Sequence, residues 1–236
     1  MEALAGVQLP RSEPIARELY NVLRERIMRA QLQPGDSISE VQVADQLHVS
    51  RTPVREVFRR LADEGLLRIV PQVGTFISPI QLQAVYDSQF VRETLECRTV
   101  MLAAERKTER DADRLNDYLT LQRRAMRDDD LSGFFRADDE MHTYLIGMAG
   151  RPAIWGLIQG VKAQLDRVRY LSLESGDWLV MLLEQHEVIV SSVLAGDADA
   201  AEAAMREHLQ SVFYAIERLA ITQQSFFESN PGLIKP

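Results

Sequence analysis

Cysteine is almost missing from this chain: Cys97 is the single one in 236 residues. With no intrachain partner it excludes the disulfide framework of small secreted scaffolds. Within the helical run FVRETLECRTVMLAAE it is expected to be a buried structural thiol. Glycine (12), proline (9) and aromatic residues (7%) are also sparse, which excludes collagen-like and low-complexity chains, while hydrophobic residues at 46% provide ample material for a core. The first residues, MEALAGVQLPRSEP, lack the basic start and apolar run of a signal peptide, and no stretch approaches the length needed to span a bilayer. A cytoplasmic location with no membrane partner is the expectation. Basic charge is in short supply too: 27 Lys and Arg stand against 35 Asp and Glu, a net charge of −8. Taken whole, that balance argues against nucleic acid.

The shortage is unevenly spread. Residues 1–80 hold ten basic and ten acidic side chains, so residues 81–236 carry the whole deficit, and residues 50–60 hold four arginines against one glutamate. Those arginines lie in SISEVQVADQLHVSRTPVREVFRRL, residues 37–61, which reads as two short helices around a tight turn. Val41, Val43, Ala44 and Leu47 mark one face of the first helix, over 37–47; the chain breaks at His48-Val49, and Ser50 can cap the second. His48 tolerates left-handed backbone better than most residues and is expected to serve the turn. On the second helix Val54, Val57, Phe58 and Leu61 share an arc of about 100°, with Arg51, Thr52, Arg55 and Arg59 on the arc beside it. The first arc packs and the second can meet an anion. Backbone N–H groups in the first turn after Ser50 suit phosphate, Pro53 costs no donor there, and Arg51 and Arg55 can fork onto guanine edges.

Ahead of this stretch, Ile15, Leu19, Leu23 and Ile27 recur every four residues, with Val22 and Met28 alongside. They predict an amphipathic helix over 12–30, opened by Ser12-Glu13-Pro14 and ended at Pro34-Gly35-Asp36. Behind it, Gly65 stops the second helix, and two β-rich runs at 66–70 and 75–77 flank Pro71-Gln72-Val73-Gly74 as a hairpin. Helix, helix-turn-helix, hairpin is the order of a winged helix. From Leu82 onward strand signals cease, and helices are predicted at 82–106, 109–127, 131–149, 152–173, 177–195 and 198–225. Their breaks fall at Thr108, Asp128-Asp129-Asp130, Gly150-Arg151-Pro152, Ser175-Gly176-Asp177 and Gly196-Asp197. The expected fold is mainly α: a flexible N-terminus (1–11), a winged helix-turn-helix head (12–78), a linker (79–81), an antiparallel all-α bundle (82–225) and a loose tail (226–236).

The string GDSISEVQVADQLHVSRTPVREVFRRLADEGLLRIVPQVGTFI resembles the head of the GntR family of bacterial transcription regulators, above all in SRTPVRE, L-x-x-E-G-L-L and P-x-x-G-T-F. The resemblance spans residues 12–78. It implies operator contacts from Arg51, Thr52 and Arg55, and a groove or backbone contact from Gly74 and its hairpin neighbours. Ser50 and Arg59 join these DNA-binding candidates from their places at the start and on the arginine arc of the helix. Members often carry glycine where this chain has His48 and a basic residue where it has Val73, so a weaker contact is expected from the wing.

Three of the four histidines fall in the second region. Asp138 and His142, in FFRADDEMHTYL, are four apart, the spacing by which two side chains on one helix grip a single ion. His186 shares a face with Leu182, Leu183, Ile189 and Val190, and His208 with Met205, Leu209 and Val212, so both point inward from helices paired by the loop Ala195–Asp199. Each histidine alone reads as a hydrogen-bonded core residue. Three of them with an aspartate are costly to bury without a shared partner, and the residues leave both readings open. The patterns D-x-x-M-H, H-x-x-I-x-x-x-V-x-x-G-D-x-x-x-A and M-x-x-H-L resemble the FCD domain, the effector-binding domain of the FadR subfamily of GntR regulators, over residues 82–223.

That resemblance implies a metal held by Asp138, His142, His186 and His208, a donor set suited to Zn²⁺, Ni²⁺ or Mn²⁺ more than Ca²⁺. Arg92, in FVRETLE, matches a family arginine and so implies a small carboxylic or sugar acid as effector; its residues alone equally allow a surface arginine paired with Glu96. Where members often have Gly-Asn, this chain has Gly150-Arg151-Pro152. The expectation is a ligand-responsive DNA-binding transcription regulator, not an enzyme, with repression as its mode. It would bind a palindromic operator on double-stranded DNA as a homodimer, associated with the nucleoid when bound, and its effector would shift it between two states. Two rivals stand beside this: a metal-dependent, hydrolase-like enzyme using the His/Asp site with Glu140 or Glu187 nearby, and a regulator whose metal is purely structural.

Overall fold

A computed structural model describes Leu4, residues 14–172 and residues 176–228. Among these residues the chain forms two compact units, one made of 14–85, 163–171 and 217–228, the other of 86–162 and 172–216.

In the first unit, α1 (Ile15–Met28) follows Pro14 and buries Leu19, Leu23 and Ile27 of the four-residue repeat, while Ile15 in its first turn is exposed. The residues Ser12 and Glu13 expected to open it lie outside the described residues, as does most of the N-terminus expected to be flexible; Leu4, its one described residue, is buried in the core of this unit. The first helix of the central pair starts later than its periodicity predicts. Ser37–Ile38 is a strand, β1, and α2 runs only over Glu40–Gln46. The reason is long-range: Ser37 faces Phe76 and Ile38 faces Thr75 across an antiparallel pair, which takes these residues out of the helix. The turn after α2 places His48 at φ +54°, the left-handed backbone expected of it. Then α3 (Arg51–Asp63) buries Val54, Val57, Phe58 and Leu61 among the α1 residues, and Gly65 leaves it at φ +72°. The hairpin of β2 (Leu67–Val70) and β3 (Gly74–Ile77) completes a three-stranded sheet in the order β1-β3-β2.

The second stretch is helical throughout: α4 (Leu82–Arg106), α5 (Glu109–Arg127), α6 (Leu131–Met148), α7 (Ala153–Val161), α8 (Ala163–Ser172), α9 (Gly176–Ala195), α10 (Ala198–Gln210) and α11 (Val212–Thr222). Three predicted breaks are caps. Thr108 and Asp111 form a capping box, Asp130 accepts from the Gly133 N–H, and Asp197 accepts from the Ala200 N–H. The break at Ser175-Gly176-Asp177 lies partly outside the described residues. Two predicted helices are divided. The run 152–173 breaks at Lys162, which caps α7 and sends its ammonium to both Asp139 oxygens at 3.0 Å. The run 198–225 breaks at Ser211, whose hydroxyl donates back to the His208 carbonyl at 2.7 Å, a local bond that competes with the helix.

The bundle core gathers Val100, Leu115, Leu119, Met141, Leu145, Ile189, Val193 and Met205. Cys97 lies at its edge, 3% exposed, and burial pushes its thiol up to about 12, in keeping with an inert structural role. Contrary to the expectation that no stretch is long enough, Trp178–Ala195 has the length and composition to cross a membrane, with a mean hydropathy of 1.3. Its inner face, with Leu182, His186, Ile189, Val190 and Val193, is buried in the bundle instead.

The first unit takes in α8 through side chains that reach the head. Arg24 donates to Asp166 at 2.7 Å, Gln164 to the Gly65 carbonyl at 2.8 Å, and Arg167 to the Ser78 carbonyl at 2.8 Å. The tail is not loose where it is described. After the turn Gln224–Phe226, the Ile80 N–H donates to the Phe226 carbonyl at 2.7 Å and the Glu228 N–H to the Ile80 carbonyl at 3.1 Å, while Phe227 is buried. Residues 229–236 lie outside the described residues.

Candidate functional site

Two places carry the candidate residues. On α3, Arg51, Thr52, Arg55 and Arg59 are all exposed while the opposite face is spent on the core. Ser50 occupies the N-cap position with extended backbone, but its side chain makes no capping hydrogen bond, so the expected cap is absent and the first-turn N–H groups face outward unassisted. Arg55 leans to Glu40 at the start of α2, Nε to Oε2 3.4 Å, a pair too exposed to add much stability but able to hold the side chain in place. Arg60, the fourth arginine of the stretch, lies 3.5 Å over the Tyr20 ring and pairs with Glu64 at 3.2 Å. It stays exposed but is engaged within the head. Gly74 is exposed at φ +152°, a conformation that favours glycine, in a wing whose tip carries Gln72 at φ +62° and Val73 at 71% exposure.

In the bundle, α6, α9 and α10 bring Asp138, His142, His186 and His208 together. One ligand atom from each lies within 4.8 Å of all the others. Asp138, His142 and His186 are 0% exposed and His208 is 4% exposed. His186 Nε2 stands 3.2 Å from Asp138 Oδ1 and 3.4 Å from His208 Nε2, and His142 Nε2 stands 3.9 Å from Asp138 Oδ1. The first two are the separations of neighbouring ligands around an ion with bonds of about 2.0–2.1 Å, and the third is somewhat wider.

The outer nitrogens explain which way the rings face. His142 Nδ1 meets Glu96 Oε2 at 2.5 Å, His186 Nδ1 meets Gln122 Oε1 at 2.6 Å, and His208 Nδ1 meets Gln185 Oε1 at 3.2 Å. The Glu96 carboxylate can only accept, so the His142 hydrogen lies on Nδ1 and its Nε2 faces the centre, and the Gln122 and Gln185 oxygens allow the same ring form at His186 and His208. Burial, and then the neighbouring His186 and His142, push His208 well below its ordinary value, so it keeps an imidazole lone pair at neutral pH. His142 Nε2 is fully buried with no hydrogen-bond partner. Three imidazole nitrogens and a carboxylate oxygen converging in this way fit a divalent transition ion, and His142 Nε2 has no hydrogen-bond partner without one.

Arg92 is 3% exposed, not the surface residue that its spacing allows. It does pair with Glu96, Nε to Oε1 2.6 Å, and Glu96 is the same carboxylate that holds His142. Burial works to raise the Glu96 carboxyl, but Arg92 and His142 together outweigh it and bring the group down to about 2. Arg92 Nη2 is left buried without a partner. Glu96, Gln122 and Gln185 were not foreseen as site residues; the one sequence signal was the turn-length spacing of Arg92 and Glu96. The carboxylates that an enzyme reading would use do not face the cluster, since Glu140 is exposed and Glu187 pairs outward with Arg123 at 2.6 Å.

Comparison with known proteins agrees with both halves. Residues 15–77 match the pattern of the bacterial regulatory proteins, gntR family, and residues 87–211 match that of the FCD domain. The chain is 36% identical over 220 residues to the HTH-type transcriptional repressor RspR of Escherichia coli, covering 93% of this chain and 96% of that protein. It is 30% identical over 182 residues to the Nta operon transcriptional regulator of Aminobacter aminovorans, covering 76% and 84%. In fold it is similar to Escherichia coli McbR/YncC, with a TM-score of 0.72 at 19% identity over 87% of this chain and 99% of that one. A transcriptional regulator GntR from Rhodococcus gives a TM-score of 0.71 at 21% identity, covering 86% and 97%. These families and relatives are transcription regulators, not enzymes. A GntR-type DNA-binding head followed by an FCD domain, together with relatives at 36% identity over nearly the whole chain, places the chain in the GntR family of bacterial transcription regulators.

Proposed function

We propose that this regulator is a metal- and acid-responsive repressor of the FadR subfamily, working in the bacterial cytoplasm and bound to the nucleoid through its operator. Asp138, His142, His186 and His208 hold one divalent transition ion, with Zn²⁺, Ni²⁺ and Mn²⁺ all suited to the donors. The ion supplies a Lewis-acidic anchor for one end of a small carboxylic or sugar acid, and Arg92 offers its Nη2 edge to the acid's carboxylate. The observation that carries this reading is the packing of four ligand atoms within 4.8 Å of one another, one helix turn and one carboxylate away from a buried arginine nitrogen that lacks a partner. That nitrogen also favours an effector over a purely structural metal.

At the head, Arg51, Thr52 and Arg55 read base edges, with Ser50 and Arg59 at phosphates and Gly74 bringing the wing backbone close to the duplex. One α3 reads too few base pairs for selectivity, so a homodimer on a palindromic operator is part of the proposal. Acid binding then biases two states that differ in operator affinity. The 36% identity to the transcriptional repressor RspR supports repression as the direction. The test measures binding of the full-length protein to DNA upstream of its own gene, by fluorescence anisotropy, with zinc and a panel of small organic and sugar acids. Specific binding that one acid releases, and that chelation makes unresponsive, is expected. Operator affinity indifferent to both metal and acid would sink the sensor reading and leave a DNA-binding protein only.

A further inference from the structure

The three histidines of the cluster do not have equivalent outer partners. Gln122 and Gln185 are amides, and an amide can turn to offer either an acceptor oxygen or a donor nitrogen, so neither dictates which imidazole nitrogen carries the hydrogen. Glu96 is a carboxylate and can only accept. Its Oε2, 2.5 Å from His142 Nδ1, requires the hydrogen there, and in the neutral ring that leaves Nε2 as a lone pair. Its Oε1 is taken by Arg92 Nε at 2.6 Å. That bond fixes the guanidinium plane and so determines where the unpartnered Nη2 must point. Glu96 is 1% exposed, and Arg92 lies one turn before it on α4, so neither oxygen has water as an alternative. A buried carboxylate with one oxygen on each candidate group is poorly explained as a stability device, because a buried pair gains little over apolar residues of the same volume.

We infer that Glu96 is a positioning residue shared by both halves of the site: it sets the ring form of His142 for the metal and aims Arg92 at the effector. This rests on the proposed reading of the cluster as a metal centre. Replacement by glutamine separates the two duties, because one amide cannot accept from His142 and from Arg92 at once. Its oxygen can serve one of them, and its NH₂ group then faces a donor on the other side. A histidine whose outer partner is lost typically binds its metal about 10–100-fold more weakly.

The experiment uses the full-length protein and zinc alone as probe. Long-range ¹H–¹⁵N spectra of the metal-free wild type, simplified by having four histidines in all, should show His142 in the Nδ1–H form. In Glu96→Gln that form should give way to a mixture. Competition against a chromophoric chelator should show zinc affinity lower by about 10–100-fold, with the thermal unfolding of the metal-free variant still cooperative. A wild type with His142 in the Nε2–H form overturns the inference without needing the variant to fold. Equal zinc affinity in wild type and Glu96→Gln overturns it while leaving the metal centre standing. Failure of the wild type to bind zinc, with His142 still in the Nδ1–H form, instead removes the metal reading and with it the use of that ring form.

Discussion

Replacing His186 by alanine tests the cluster most sharply, because its two consequences separate. In the metal-free protein the substitution removes a ring stacked 6.4 Å from Phe134 and strands Gln122 Oε1, in a side chain that is 0% exposed. Truncating a core side chain and orphaning one amide cost about 2–5 kcal/mol together. At about 2–4 °C per kcal/mol for a chain of this size, a middle value of about 3 kcal/mol lowers the melting temperature by about 6–12 °C. The second consequence concerns the ion. Zinc at a hundred times its dissociation constant stabilises the wild type by about 2.7 kcal/mol, a rise of about 5–11 °C by the same conversion. His186→Ala should lose that rise, whatever its melting temperature without metal. The assay is thermal melting of both proteins after chelation and again with added zinc. A variant that still gains the full wild-type rise would refute the ligand set, since His186 Nε2 sits 3.2 Å from Asp138 Oδ1 and 3.4 Å from His208 Nε2.

Further outcomes follow from other parts of the molecule. Arg51→Ala should weaken operator binding by about 1–3 kcal/mol without moving the melting temperature, measured by anisotropy and melting; undiminished affinity would take α3 out of the interface. Arg92→Lys keeps a cation for Glu96 but lacks the forked edge, so the acid response of operator binding should fall while zinc content by elemental analysis stays at the wild-type level. Phe58→Ala should destabilise the head by about 3–5 kcal/mol, read from chemical denaturation, because Phe58 is 1% exposed within the α1–α3 core; a loss under about 1 kcal/mol would contradict that packing. Burial works to raise the Asp111 carboxyl, but the Tyr144 hydroxyl and Thr108 bonds hold it below the usual carboxylate range. Its stabilisation is therefore complete at neutral pH and lost as pH falls through that lowered value, so acid titration followed by helicity should be shallower in Asp111→Asn than in wild type.

What the sequence made legible follows from how local each signal is. The α3 face could be read because Val54, Val57, Phe58 and Leu61 obey a period set by one helix, and the arginines take what remains. The four cluster residues could be read for a similar reason, since a spacing of four and two inward faces place them without knowledge of packing angles. Ser37–Ile38 could not, because their strand exists only through partners at Thr75 and Phe76. Nor could the helix breaks at Lys162 and Ser211, which depend on a partner at Asp139 and a bond back to His208. Gln122 and Gln185 were invisible for the same reason. They reach His186 and His208 from helices whose facing residues depend on crossing angle and register, and nothing in their own neighbourhoods in the chain marks them.

Arg92 and Glu96 show how burial changes the meaning of a pattern without changing its geometry. A cation and an anion one turn apart read equally as a surface pair or as a family effector arginine with the pair as coincidence. The bond exists, 2.6 Å long, but it is inside, and there the two readings cease to compete. On the surface such a pair has water for every remaining donor and is worth about 0.3–0.5 kcal/mol. Inside, each unspent donor or acceptor must find protein or ligand, so the pair cannot be complete by itself. Glu96 spends its second oxygen on His142, which points the inner nitrogen of that ring at Asp138. Arg92 has Nη2 left over. One buried ion pair thus faces the cluster with one end and keeps an unpartnered donor at the other, and on the proposed reading that division of its hydrogen bonds would account for a charged pair in the core of the bundle.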